Sequence, residues 1–180
     1  METVRERTSF SIISLSELVV DLLPDMQYEA SRSNASITTS IADECSLRCD
    51  PEMVRSCIEN VIRNAIRYTP SNGLIHVETL TETIMGQRLA IVRISDSGPG
   101  IPEQEIKSVL EPFYRADKAK HWRQDGFGIG LAIADRAAQM HGGKIAIWNG
   151  LTGGLTVEIS FPAAEEALDG IHATARVLRT

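Results

Sequence analysis

Residues 59–70, ENVIRNAIRYTP, decide the interpretation of this chain. They complete a run over residues 51–68 in which apolar side chains recur at helical spacing, and this run predicts an amphipathic α-helix. Asp50 suits the N-cap and Pro51 the first helical position, while Pro70 and the Asn-Gly pair after it end the helix. One face of this helix is therefore expected to pack on a core, which leaves the opposite face for polar residues.

The polar face of this helix carries Asn60, Asn64 and Arg67. Their i, i+4, i+7 spacing confines them to an arc of about 60°. An amide oxygen is a neutral, hard ligand that suits a magnesium ion bridging phosphates, and a guanidinium pairs with phosphate oxygens. Two ordinary asparagines on a solvated helix face would look the same, so the helix alone does not decide between these interpretations.

Residues 96–102, DSGPGIP, directly follow a predicted strand. The Asp96 carboxylate would then lie at the end of that strand, while Gly98 and Gly100 allow backbone to approach closely. A buried carboxylate acceptor suits an exocyclic amine such as adenine N6. The same residues also make an ordinary turn.

Gly126, Gly128 and Gly130 open a second helical pattern, predicted over residues 128–140 with Ile129, Ile133, Ala137 and Met140 on its buried side. Glycines at a helix start allow backbone N–H groups to hold phosphate. The dinucleotide fingerprint requires a strand immediately before the glycines, but here a long polar loop precedes them. A dinucleotide-binding fold is therefore disfavoured.

That polar loop, residues 111–127, is longer than a compact domain usually contains without a functional reason. It lacks apolar periodicity, which indicates a lid. We expect residues 116–125 to be disordered when no ligand is bound.

The rest of the chain alternates short strands and helices. In chain order the patterns predict a helix capped by Ser14 and kinked or shortened at Pro24, a hairpin of residues 37–41 and 45–49, a hairpin of residues 74–83 and 88–95, a short helix over residues 103–110, and a hairpin of residues 144–148 and 155–161.

Composition is that of an ordinary folded domain. The 180 residues are 43% hydrophobic and 23% charged, with a net charge of -6, and no basic patch indicates nucleic-acid binding. The sequence shows neither a signal peptide nor a membrane-spanning run. The three cysteines predict neither a disulfide framework nor a zinc ribbon, and we expect them to be inert apolar residues in a reducing, aqueous compartment.

The order of these segments resembles the ATP-binding domain of sensor histidine kinases, in the GHKL or Bergerat-fold superfamily. ENVIRNAIRYTP resembles the N box, DSGPGIP the G1 box, EPFYRAD the F box and GFGIGLAIA the G2 box. The resemblance covers residues 11–162 and implies an α+β fold: a two-layer α/β sandwich whose mixed sheet is covered by helices on one face, with an ATP lid at about residues 111–127. Residues 113–134 look most similar to the Cpx-type envelope-stress sensor kinases.

The resemblance implies ATP and Mg²⁺ as cofactors. Asn64 would ligate Mg²⁺, Asp96 would bind adenine N6 and Phe113 would anchor the lid. Asn60, Asn64, Arg67 and Arg115 would act at the phosphates during transfer. The implied nucleotide-binding set is Asn60, Asn64, Arg67, Tyr68, Asp96, Gly98, Gly100, Ile101, Phe113, Arg115, Gly126, Phe127, Gly128, Ile129, Gly130 and Leu131. Phe127, Ile129 and Leu155 depart from the more usual Thr, Leu and Thr, which bears on nucleotide affinity.

The function implied is transfer of the ATP γ-phosphoryl group to a histidine on a separate dimerisation and phosphoacceptor domain, with a response regulator as the next acceptor. None of the four histidines lies in a helix beside an acidic residue, so we expect no autophosphorylation by this chain alone. Residues 1–10 would be the stub of the preceding helical hairpin and residues 163–180 a tail. We expect a monomeric, truncated or excised cytoplasmic domain of an inner-membrane sensor, without membrane or nucleic-acid contact of its own.

Three alternatives keep the fold and change the function. The first is a GHKL serine protein kinase of the anti-sigma-factor type, and the second a nucleotide-dependent binding module without transfer. The third, a gyrase-type ATPase clamp, is disfavoured because Asn60 takes the position of the hydrolytic glutamate in those enzymes. Glu59 points about 100° away from Asn60 on the helix, which argues against its acting as a general base.

Overall fold

The computed structural model describes residues 10–42, 46–114 and 128–164. These residues form seven strands and three α-helices, with two short 3-10 turns at Glu103–Glu105 and Ser108–Leu110. The elements are β1 (Ser11–Ser14), α1 (Leu15–Arg32), β2 (Ser36–Ser40), β3 (Ser46–Cys49), α2 (Pro51–Tyr68), β4 (Leu74–Ile84), β5 (Gln87–Asp96), α3 (Gly130–Met140), β6 (Lys144–Asn149) and β7 (Leu155–Pro162).

The main sheet has five strands in the order β2-β4-β5-β7-β6. β2 is parallel to β4, and the other neighbours are antiparallel. Alternate residues of these strands, such as Val77, Ile94 and Val157, are buried in one core with the helices. The opposite face carries Glu78, Arg93 and Glu158, which are ion-paired across three strands. The predicted α+β class, with a mixed sheet covered on one face, is confirmed.

Helix α2 forms as its local sequence dictates. The Asp50 side chain accepts hydrogen bonds from the backbone N–H groups of Glu52 and Met53, and Pro51 occupies the first turn. Its buried face includes Ile58 and Ile62, both fully buried. Each such side chain contributes roughly 2 kcal/mol of transfer free energy.

His141 connects the end of α3 to the start of α2. Its Nδ1 lies 2.7 Å from the Ala137 carbonyl oxygen, to which it must donate, and its Nε2 accepts the Asp50 backbone N–H at 3.1 Å. The Phe10 ring lies beside the imidazole at a centroid distance of 5.1 Å. This histidine is buried and its ring nitrogens are both engaged, which suits a structural residue.

The predicted hairpin of β2 with β3 is wrong, although both strands exist. β2 pairs with β4, and β3 pairs antiparallel with β1. Between them, the Ala42 carbonyl accepts from Ser16 Oγ at 2.6 Å, and the Ala42 N–H donates to Thr79 Oγ1 at 2.9 Å. These bonds hold the backbone after β2 against α1 and β4, so the two strands end in different sheets.

Of the kink or shortening predicted at Pro24 of α1, the shortening is wrong, because the helix continues to Arg32. Pro24 lies on the exposed side, and Val20, whose carbonyl loses its helical partner, is 48% exposed. Water can satisfy a carbonyl on that side of the helix. The Ser14 cap is confirmed, since its side chain accepts the Glu17 N–H at 3.2 Å.

In α3 the predicted apolar face is wrong except at Ala137, which is buried. Ile129, Ile133 and Met140 are 36%, 44% and 51% exposed, whereas Leu131, Ala134 and Ala138 are buried. Small residues allow α3 to approach α2 closely, and the Cys57 thiol donates to the Ala134 carbonyl at 3.3 Å. The close approach of the α2 and α3 backbones therefore determines which face of α3 is buried, and the size of the apolar side chains matters less.

Residues 103–110 form two separate 3-10 turns in place of the predicted single helix. The Pro102 carbonyl accepts the Glu105 N–H at 2.8 Å, and the Ser108 carbonyl accepts the Glu111 N–H at 2.9 Å. Only Val109 of these two turns is buried, so little apolar packing would support a longer helix.

Two of the three cysteines lie in the described segments. Cys49 and Cys57 are free and buried. Burial raises the pKa of the Cys49 thiol to about 11 and that of Cys57 to about 12. Both thiols are therefore protonated and unreactive at neutral pH, in agreement with the expectation that they are inert.

In the segments that the structure describes, no helix combines the length and apolar character needed to cross a bilayer.

Candidate functional site

Asp96 is the last residue of β5 and the centre of the candidate site. Its Oδ1 accepts the backbone N–H groups of Gly98 at 2.8 Å and Leu155 at 3.2 Å. Burial raises the pKa of this carboxyl above its ordinary value, and the two backbone hydrogen bonds oppose the rise. The described residues donate no hydrogen bond to the other oxygen, Oδ2, which leaves it available to a ligand.

Two glycines shape the turn after Asp96. A Cβ atom on Gly98 would lie 2.7 Å from the Tyr68 carbonyl oxygen and 2.8 Å from Asp96 Oδ1. Gly100 has φ of 66°, in the left-handed region, and its Cβ would lie 2.6 Å from Asn149 Oδ1. A side chain at Gly98 would therefore displace backbone or the carboxyl group, and one at Gly100 would displace the Asn149 amide.

Asn149, the last residue of β6, was missed by the sequence reasoning. Its Oδ1 accepts the Ile101 N–H at 2.8 Å, and its Nδ2 donates to the Ile101 carbonyl at 2.7 Å. An asparagine before a glycine-rich turn is common for conformational reasons alone. No pattern within the sequence therefore distinguishes this pairing, which joins residues far apart in the chain.

The polar face of α2 adjoins the start of α3. Asn60 Nδ2 donates to the Ser56 carbonyl at 2.8 Å, while its Oδ1 lies 3.5 Å from the position of a Cβ on Gly130. Asn64 and Arg67 are half-buried, and neither side chain hydrogen-bonds to another described residue. Glu59 is bound to Arg63 at 3.1 Å on a neighbouring part of the helix surface.

A backbone hydrogen bond joins the two ends of the predicted lid. The Phe113 N–H donates to the Gly128 carbonyl at 3.0 Å. The Phe113 side chain is 76% exposed and its φ is 67°. Its contact with Gly128 is therefore made by the backbone N–H and not by the aromatic ring. The neighbouring Tyr114 packs on the core and its hydroxyl donates to Glu105 Oε2 at 2.9 Å. Tyr114 is a second residue that the motif analysis did not single out.

The other predicted site residues divide into two groups. Ile129 and Leu131 flank the first residue of α3, Ile129 partly exposed and Leu131 buried. Arg115, Gly126, Phe127 and the segment 116–125 predicted to be disordered lie outside the described residues.

Helix α2 links the two halves of the site. Tyr68 at its end touches the Asp96–Gly98 turn, and Asn60 contacts the start of α3. The eight residue steps from Asn60 to Tyr68 span about 12 Å of helix. Asn64 and Arg67 lie along this span, and both are half-buried. The neutral amide oxygen of Asn64 and the positive charge of Arg67 fit a hydrated Mg²⁺ ion with phosphates, while the Asp96 carboxyl fits an amine donor.

Comparison with known proteins agrees with this geometry. Residues 49–165 match the family model of histidine kinase-, DNA gyrase B- and HSP90-like ATPases. The chain is 35% identical over 122 residues to the sensor histidine kinase WalK of Bacillus subtilis, covering 67% of this chain and 19% of WalK. It is 28% identical over 151 residues to the sensor histidine kinase CpxA of Escherichia coli, covering 83% of this chain and 32% of CpxA.

Solved structures show the same fold. The mycobacterial sensor histidine kinase MprB superposes with a TM-score of 0.71 at 26% identity, covering 84% of this chain and 97% of that one. The catalytic domain of histidine kinase ThkA superposes with a TM-score of 0.72 at 24% identity, covering 86% and 95%. The chain spans only about a fifth of WalK and a third of CpxA.

Proposed function

The chain belongs to the family of histidine kinase-, DNA gyrase B- and HSP90-like ATPases, and we propose that it binds Mg-ATP and donates the γ-phosphoryl group to a histidine on a separate phosphoacceptor domain. Its relatives are sensor histidine kinases. The observation that carries the proposal is the Asp96 carboxyl, held by two backbone N–H groups through one oxygen with the other available.

Base recognition is assigned to Asp96. The free Oδ2 accepts a hydrogen bond from the adenine N6 amine, and the fixed Oδ1 keeps the carboxyl plane from rotating. A purine with an oxygen in place of the 6-amino group would put a hydrogen-bond acceptor against Oδ2, which is also an acceptor. Oδ2 would then stay unpaired in the complex, which strongly disfavours binding. Tyr68, Gly98, Gly100 and Ile101 line the adenosine end of the site.

Phosphate binding is assigned to α2, the lid and the start of α3. Asn64 would ligate Mg²⁺, with Asn60 beside the phosphates, and Arg67 and Arg115 would compensate the phosphate charge. The metal ion would supply further neutralisation of charge on the phosphate oxygens. Phe113 would anchor the lid, and Gly126, Gly128 and Gly130 would wrap the triphosphate, because backbone N–H groups at a helix start favour anions.

The acceptor histidine comes from another domain. The phosphoryl group passes to that histidine and then to a response regulator. This domain holds ATP in position for the transfer and compensates the charge of its phosphates. We propose the organisation expected from the sequence: residues 1–10 lead from the preceding helical hairpin, residues 11–162 form the ATP-binding domain and residues 163–180 are a tail. The domain is a cytoplasmic, monomeric part of an inner-membrane sensor.

The first test is isothermal titration of the purified chain with a non-hydrolysable ATP analogue, with and without Mg²⁺. We expect wild type to bind, Asp96→Asn to lose the preference for adenine, and Asn64→Ala to lose the effect of Mg²⁺. Folding of each variant is checked by circular dichroism. A folded wild-type chain that does not bind the analogue contradicts the proposal.

The second test identifies the acceptor. The chain is incubated with labelled ATP and a separately purified phosphoacceptor domain, and the product is treated with acid. An acid-labile product supports phosphohistidine, whereas an acid-stable one indicates a serine kinase. Binding of ATP without any transfer leaves the nucleotide-dependent binding module as the better description.

A further inference from the structure

The turn between β6 and β7 contacts both ends of the segment Asp96–Ile101. Residues Asn149–Leu155 are called the β6–β7 clip here. On its entry side, Asn149 makes the paired hydrogen bonds to Ile101 at 2.8 and 2.7 Å. On its exit side, the Leu155 N–H donates to Asp96 Oδ1 at 3.2 Å. The segment that carries the candidate base-binding carboxyl is thus bound at its first and last residues by one turn.

The clip is itself well defined. Asn149 and Leu155 are cross-strand partners in the β6–β7 ladder. Within the turn, the Gly150 N–H donates to the Gly154 carbonyl and the Gly153 N–H to the Gly150 carbonyl, both at 3.1 Å. Gly154, with φ of 82°, lies directly against the Asp96 carbonyl, where a Cβ would overlap it. A displacement of Ile101 is therefore resisted by the same turn that holds Asp96.

Hydrogen bonds at both ends of a short backbone segment, residues 98–101, connect Asn149 to the carboxyl group. Asn149 fixes Ile101, next to Gly100 with its left-handed backbone. Two residues earlier in the same turn, the Gly98 N–H supplies the 2.8 Å bond to Asp96 Oδ1. Without Asn149, Ile101 would lose both hydrogen bonds and keep only its packing on the core, so the turn that presents the Gly98 N–H would shift more easily and the carboxyl would lose part of its support.

We propose that Asn149 is a positioning residue for base recognition: through Ile101 it sets the orientation of the Asp96 carboxyl and so controls discrimination between 6-amino and 6-oxo purine nucleotides. This inference rests on the proposed ATP site. It assigns specificity to a residue that is outside the DSGPGIP segment and joined to it only by the fold.

The experiment is titration of the chain with ATP and with ITP, both in Mg²⁺, for wild type and Asn149→Ala. Loss of one well-made hydrogen-bonded pair is expected to weaken ATP binding about tenfold, with ITP binding nearly unchanged, so the ATP-to-ITP ratio falls. The control is Leu151→Ala, because Leu151 lies in the same clip with a fully exposed side chain and should leave both affinities unchanged.

A second comparison separates positioning from stability. In an Asp96→Asn background, Asn149→Ala should no longer change the ATP-to-ITP ratio, because the group it positions has been replaced. Melting temperatures are recorded for all variants, and Asn149→Ser takes the place of Asn149→Ala if the latter fails to fold.

The outcomes are distinct. A fall in melting temperature with an unchanged ATP-to-ITP ratio overturns the inference, as does an equal effect of Asn149→Ala with and without Asp96. Either result would leave the proposed ATP site standing if wild type still prefers ATP. A folded wild-type chain that binds neither nucleotide overturns the proposed function and this inference together.

Discussion

The two ends of the candidate site are built differently. At the proposed base end, Asp96–Ile101 with the β6–β7 clip, Asp96 Oδ1 and the polar groups of Ile101 and Asn149 hydrogen-bond to one another or to backbone, and only Asp96 Oδ2 is left for a ligand. At the phosphate end, Asn60, Asn64 and Arg67 of α2 with Gly130 of α3, the Asn64 and Arg67 side chains have no hydrogen bond to another described residue. The base end is thus part of the folded framework, whereas the phosphate end presents groups for a ligand.

This difference predicts how substitutions divide between stability and binding. A change that breaks the hydrogen bonds or close contacts of the base end should lower both the free energy of unfolding and nucleotide affinity, because the same contacts serve the fold and the ligand. A change at the phosphate end should lower affinity and leave the fold unaffected. The base end is already fixed before a ligand binds, whereas the phosphate end gains its hydrogen-bond partners from the ligand. This division would suit a site that selects one base and then holds a metal-bound triphosphate.

The largest effect is expected from Gly154→Ala. The added Cβ would overlap the Asp96 carbonyl in addition to straining a backbone at φ of 82°, so we expect a loss of more than about 3 kcal/mol in unfolding free energy. Gly153→Ala is the matched control, because its φ of 102° is also unfavourable but its Cβ would meet nothing within 4 Å. It should cost about 1 kcal/mol. Urea unfolding measures both, and equal losses would show that the contact with Asp96 is unimportant.

Asp96→Asn should have the second largest effect, mainly on binding. The substitution places an N–H donor against the N6 amine or, if the amide is reversed, against the N–H groups of Gly98 and Leu155, and ATP affinity should fall about 100-fold. Its shape is conserved, so the melting temperature should change little. Titration and thermal unfolding of the same preparation give both quantities. A variant that binds ATP as tightly as wild type would move the base-binding role away from this residue.

Several features of the fold were predictable because their causes are local. The α2 helix is specified by the Asp50 cap, Pro51 and the apolar spacing after them. The β4–β5 hairpin was predicted for the same reason: Met85 and Gly86, with φ of 52° and 82°, form the tight turn that suits twisted antiparallel strands. Such elements depend on neighbours within a few residues, which the sequence displays directly.

Other features depend on contacts between distant residues. The pairing of β3 with β1 was missed, because their separation by α1 and β2 hides it from local patterns. The buried face of α3 was misassigned since close approach to α2 favours Ala134 and Ala138 over Ile133. At the site, Asp96 and its glycines were found from their motif, whereas Asn149 was not, because its partner Ile101 is 48 residues away.

Asn64→Ala tests the phosphate end and should have a smaller effect. We expect affinity for Mg-ATP to fall about tenfold while affinity for metal-free ATP is unchanged, and the unfolding free energy should stay within about 0.5 kcal/mol of wild type. The control is Arg63→Ala on the same helix. It removes surface ion pairs with Glu29 and Glu59, costs at most about 1 kcal/mol, and should leave nucleotide binding unchanged. A large loss of stability in Asn64→Ala would remove the contrast between the two ends.

The smallest effect is a pH dependence confined to the base end. Burial raises the pKa of Asp96 in the folded chain, so the folded state retains this proton to higher pH than the unfolded state does. The resulting stabilisation is present at low pH and is lost as the pH rises above the ordinary carboxyl value of 3.8 through the folded-state pKa. Relative to Asp96→Asn, wild type should therefore become less stable over this range and level off above it, as measured by urea unfolding at a series of pH values.

Asn64→Ala should follow the wild-type curve, because the group it removes is neutral throughout. If wild type and Asp96→Asn show the same pH dependence, the carboxyl is as well solvated as in the unfolded chain, and the base end would then no longer count as the pre-formed half of the site.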